Sequence, residues 1–92
     1  MDFPLYRKYA HGSSFFEVLS DSEFRELKMV GRHYELHHIK ASILPERNYL
    51  ADLINNPDGH YVESNQNEFR QKLAWCRQQL QPLGVRQGKE PL

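Results

Sequence analysis

From residue 5 to residue 63 the chain is divided into short runs in which apolar or aromatic side chains alternate with charged ones, separated by Gly, Pro, Asn, Asp and Ser. Alternation with a period of two puts successive side chains on opposite faces of a strand, and turn residues at close intervals leave room only for short elements. This pattern points to an antiparallel sheet. Leu5 to Ala10 and Ser14 to Leu19 flank Ala10-His11-Gly12-Ser13 and read as a hairpin. Ser20-Asp21-Ser22-Glu23 supplies turn chemistry and also fits a helix capping box, so residues 22–30 suit either state. Strand is favoured, because Val30-Gly31-Arg32-His33 then serves as a hairpin connection into Tyr34-Glu35-Leu36-His37. Leu44-Pro45-Glu46-Arg47 reads as a turn with Pro at its second position, and Asn48 to Ile54 as a further short strand. Asn55-Asn56-Pro57-Asp58-Gly59 is the strongest local turn signal and leads into a last strand, His60 to Glu63.

The pattern changes after residue 65. All six glutamines lie beyond it, and Asn65 followed by Glu68 resembles a capping box. At 100° per residue Phe69, Leu73, Cys76 and Leu80 fall within a stripe about 60° wide, the signature of a helix lying on a core. Pro82 and Gly84 end it. The expected fold is therefore α+β, an antiparallel β-meander of about five or six short strands packed on one C-terminal α-helix, with one sheet face left to solvent. Residues 1–84 are expected to form a single compact domain and residues 85–92 a flexible tail.

Charge narrows the function classes. Lys plus Arg and Asp plus Glu both total 12, and the match is local, with seven of each sign in residues 1–50 and five of each in 51–92. Proteins that track nucleic-acid phosphates or anionic membranes rely on clustered excess cations, so nucleic acid is disfavoured as a partner. Tyr6-Arg7-Lys8-Tyr9 interleaves aromatic and basic residues, but Glu17 and Glu35 on neighbouring strands offset two cations. The longest apolar run, Leu73 to Cys76, is far below the roughly 18 residues a membrane helix needs, and the start lacks the pattern of a secretory leader. A single cysteine forms no internal disulfide, which makes a cytoplasmic setting the default expectation.

Two groups of residues are candidates for function. On the last helix Trp75, the only tryptophan, lies about 130° from the centre of the apolar stripe, beside Gln71, Lys72, Gln78 and Gln79. An aromatic among long polar side chains suits an anchor for a protein partner or a homodimer, the competing reading being a ring covered by Pro82 and Leu83. The second group is His33, His37 and His38, together with Asp52, which interrupts the otherwise apolar Asn48 to Ile54 strand candidate between Ala51 and Leu53. On a strand His33 and His37 share a face with Glu35 but sit about 13 Å apart, too far to meet one metal ion, while His38 points away. Solvated histidines on a half-exposed sheet are the simpler reading. Cys76, on the packing stripe, reads as an inert small hydrophobe. No nucleotide-binding, metal-finger or nucleophile-elbow pattern is present, and no cofactor is expected. The leading expectation is a small non-catalytic interaction or accessory domain acting through the Trp75 side of the helix. The alternative is a small metal-dependent or acid–base enzyme built on His33, His37, His38 and Asp52.

Overall fold

A computed structural model describes residues 2–83. Four strands, β1 (Leu5–Tyr9), β2 (Ser14–Ser20), β3 (Glu23–Val30) and β4 (His33–Lys40), follow one another as an antiparallel meander. The alternation that marks residues 22–30 as strand is realised in β3, and the hairpin into β4 turns through Gly31 at φ 60°, a left-handed conformation that favours glycine. A register shift between Val18 and Ser20 interrupts the β2–β3 ladder and leaves Leu19 exposed.

The chain then crosses the sheet twice. Helix α1 (Leu44–Asn55) carries it back to β5 (Tyr61–Glu63), which pairs antiparallel with β1. Helix α2 (Gln66–Gln79) returns it to β6 (Gln81–Pro82), which pairs parallel with the start of β4. The sheet order is β5-β1-β2-β3-β4-β6. The overall class is α+β with a mostly antiparallel six-stranded sheet and two helices, one more than the sequence leads one to expect. Residues 44–54, expected as turn plus strand, are helical. Pro45 lies in the first turn, where its missing N–H costs nothing, and Leu50 and Leu53 are buried one helical turn apart. The Asn55–Gly59 turn accordingly joins a helix, not a strand, to β5, and β5 pairs with the far edge of the meander.

The helices lie on opposite faces, as adjacent residues of β2 show. Phe15 packs with Tyr6, Leu27 and Tyr34 against Phe69, Leu73 and Cys76 of α2. Its neighbour Phe16 packs with Val18 and Phe24 against Leu50 and Leu53 of α1. The expectation of one wet face is thus corrected: the sheet is a middle layer with a core on each side. By strand alternation Glu26, Lys28, Glu35 and His37 share the α1 face and occupy the part of it outside that cluster. Charges that alternate along the strands therefore reach solvent on the uncovered parts of both faces, Glu23, His38 and Lys40 lying on the α2 side. The expected tail, residues 85–92, lies outside the described residues.

Candidate functional site

The N-terminus of α2 is fixed by three contacts. Asn65 Oδ1 accepts from the Glu68 backbone N–H at 2.8 Å, the first half of the expected capping box. The reciprocal half is absent: Glu68 accepts instead from Lys8 Nζ at 2.6 Å and from the Ser64 hydroxyl. These bonds, Lys8's first, hold the Glu68 carboxyl below its ordinary pKa. With Phe69, Leu73 and Cys76 turned into the core, the opposite side of the helix presents Arg70, Gln71, Ala74, Trp75, Gln78 and Gln79 to solvent.

Trp75 is 45% exposed, so among the described residues neither Pro82 nor Leu83 covers it, and both of these are exposed themselves. The indole is nevertheless not free to roam. Lys72 Nζ sits 4.8 Å from the Trp75 ring centroid and 5.7 Å from that of Phe15, bridging the exposed ring to the edge of the core. The exposed indole is thereby held against the Lys72 ammonium. The electrostatics are one-sided. Arg70, Lys72 and Arg77 lie on α2, and the only acidic residue of the helix, Glu68, is committed to Lys8.

The histidines do not converge. His33 and His37 do share a strand face, and His37 Nε2 pairs with Glu35 Oε1 at 2.7 Å. His38 projects from the other face and pairs with Glu23. Asp52, expected within a strand beside Leu53, is on the exposed side of α1, where its backbone carbonyl accepts the closing hydrogen bond from Asn56 at 2.7 Å. Among the described residues no three His, Cys, Asp or Glu side chains come together in a way that could hold a metal ion. Cys76 is fully buried and burial pushes its thiol pKa up, partly opposed by Lys72, which keeps it protonated and unreactive.

Two arrangements escaped sequence reasoning. Phe16 is met edge-on by the rings of Tyr9, Tyr49 and Tyr61 at 5.6, 6.0 and 5.5 Å, and Tyr9 is stacked between Tyr61 and His11. The second is a groove between α1 and the β2–β3 turn, with Asp21 and Arg47 among its lining residues. Both depend on α1 being a helix, and the helical spacing of Arg47, Leu50, Ala51 and Ile54 is the signal that could have revealed the groove. Compared with models of known protein families, with curated proteins and with solved structures, the chain shows no significant match to any.

Proposed function

We propose that this protein is a non-catalytic binding domain of a reducing, cytoplasmic compartment that docks an acidic segment of a partner protein on the outer side of α2. The observation that carries this reading is Trp75, exposed on a helix whose other face is committed to the core, with Lys72 against its ring. Aromatic anchors of this kind supply much of the energy of small interfaces. Lys72, which sits over the ring, favours an acidic group on the partner, while Arg70 and Arg77 lie on the other flank of α2, about 140° and about 160° around the helix from Trp75, and add positive charge to the helix as a whole. The same net positive charge disfavours a symmetric α2–α2 contact, since the only acidic side chain of the helix, Glu68, is committed to Lys8. Three cations are few for tracking a phosphate backbone, so a protein segment is preferred to nucleic acid. The histidine-centred enzymatic alternative has no comparable support, its residues being spread over both sheet faces and α1.

The test is selection of a random peptide library on the immobilised full-length chain, with Trp75→Ala and a 20-mer DNA oligonucleotide as comparators. The reading expects selected peptides to combine Asp or Glu with an apolar anchor, to bind more weakly as salt rises, and to lose affinity at least about tenfold on Trp75→Ala. Binders that lack acidic residues, or that bind Trp75→Ala equally well, would overturn it. A concentration-dependent dimer that Trp75→Ala abolishes would also replace it, by self-association, and preferential capture of the oligonucleotide would do so by nucleic-acid binding.

A further inference from the structure

On the opposite side of the molecule from α2, a groove of about 360 Å³ runs between α1 and the β2–β3 turn. Its lining is apolar at Ala41 and Leu50, which belong to the α1 core, at Ile54, which packs against that core, and at Ala51 of the same helix stripe, with Ser22 and Asn55 adding neutral polar groups. Its rim carries opposite charges, Asp21 from the turn and Arg47 from the first half of α1. Among the described residues neither charge is in an ion pair or a side-chain hydrogen bond. Their neighbours do not need them. The Ser22 backbone N–H donates to Ser20 Oγ at 3.1 Å, the Ser22 carbonyl accepts from Ala41 at 2.8 Å, and Glu46 accepts from the Ser42 backbone at 3.0 Å. The turn and the helix start are closed by their own bonds, which leaves Asp21 and Arg47 facing one groove without a structural task.

We infer that this groove is a binding site for a small zwitterion with an apolar body, such as a free aliphatic amino acid. A guanidinium offers a carboxylate paired, charge-assisted N–H donors, while Asp21 accepts from an ammonium. An aliphatic body then covers the Ala51 and Ile54 side chains, above the buried Leu50. A ligand of single charge leaves one rim group opposed or unused, and the groove is too small for a macromolecular surface. The site is on another face from Trp75 and does not rest on the α2 reading.

The test is a titration of the ¹⁵N-labelled full-length chain, followed by amide chemical shifts. L-leucine, whose charges share one carbon, and 6-aminohexanoate, whose charges lie at the ends of a chain, are compared with hexanoate and hexylamine. At least one zwitterion is expected to bind with a millimolar dissociation constant, shifting amides of Asp21, Ser22, Ala41 and the Arg47–Asn55 stretch. Hexanoate and hexylamine bind at least about threefold more weakly, as loss of one exposed charge contact implies. Arg47→Gln and Asp21→Asn each weaken the zwitterion by a similar factor while amides elsewhere keep their positions. No saturable shift at these amides with either zwitterion overturns the inference, as does equal binding of the singly charged analogues or indifference to both substitutions.

Discussion

Glu17 shows how a charged residue is accommodated inside a protein of this size. It is 9% exposed in the middle of β2, and its two oxygens accept from Tyr6 Oη and Arg25 Nε, each at 2.7 Å. Arg25 in turn lies over the Phe69 ring at 5.4 Å, so one guanidinium neutralises a nearly buried carboxylate and covers the base of α2. Removing one partner from such an arrangement costs more than the bond itself, because the other is left unsatisfied. Arg25→Ala is expected to lower stability by about 2 kcal/mol and Tyr6→Phe by about 1 kcal/mol in urea unfolding. The double variant should lose less than the sum, since both act on one carboxylate; strict additivity would show that they do not. Tyrosines buried or half-buried on both faces of the sheet make the fold sensitive to alkali. Burial, then Glu17, pushes the Tyr6 pKa from 10.0 up to about 12, burial and the Tyr9 neighbour do the same for Tyr61, and burial raises Tyr49 still further. The unfolded chain releases these protons first, so the stability they contribute is full below pH 10 and is lost as pH rises toward 12 and beyond. Urea midpoints measured from pH 8 to 11 should fall above pH 10, with tyrosinate absorbance of the folded protein lagging that of the unfolded chain. A flat profile across that range would refute it.

At the level of elements the two helices are secured in different ways, and the difference decides how legible each was. Helix α2 carries its signals within its own sequence: a capping Asn65, an apolar stripe, and Trp75 placed by simple angular arithmetic on the exposed side where it is found. Asn65→Ala should cost about 1 kcal/mol, detectable by thermal or urea unfolding. Helix α1 has no side-chain cap at Ile43, and what holds its far end comes from distant chain. Arg7 of β1 donates to the Leu53 and Ile54 carbonyls at 2.9 and 3.2 Å, satisfying acceptors that the last turn leaves open. Asn56, left-handed at φ 48°, bonds both the N–H and the carbonyl of Tyr61 and so ties the helix exit to β5. Nothing in residues 44–54 announces an arginine nearly fifty residues upstream, and Pro45 serves a turn as well as a first helical turn. The local sequence of the segment therefore reads as turn and strand, and the groove depends on the helix that this reading lacks. Arg7→Ala should cost about 1–2 kcal/mol and speed amide exchange in the last turn of α1 while leaving α2 protection relative to global stability unchanged. Equal effects on both helices would mean that Arg7 acts on the whole fold and not on that helix end.

For the whole molecule, the strands were legible because period-two alternation is a local property, whereas the number of layers was not. Alternation of aromatic and charged residues fits a sheet with one wet face, and Glu26, Lys28, Glu35 and His37 do occupy such a region. Yet Phe15 and Phe16 are adjacent and both buried, which only a sheet covered on both sides permits. The consequence is mechanical as well as architectural. The two cores share no buried side chain, but each is built from alternate residues of β2 and β3, so neither helix can lose its partner strand without exposing the opposite core. Burying both faces of the same two strands makes the cores interdependent, and unfolding should be a single cooperative transition despite the layered design. The side chains supply separate reporters for each layer. Trp75 emission reports on α2, and near-ultraviolet circular dichroism of the Tyr9, Tyr49 and Tyr61 cluster reports chiefly on the α1 side. Their urea transitions should coincide in midpoint. Phe16→Leu, which trims the ring at the centre of the tyrosine cluster, should move both midpoints together to lower urea, by about 1–2 kcal/mol in free energy. If the tyrosine signal alone shifts and Trp75 keeps its wild-type midpoint, the layers unfold independently and β2 does not couple them.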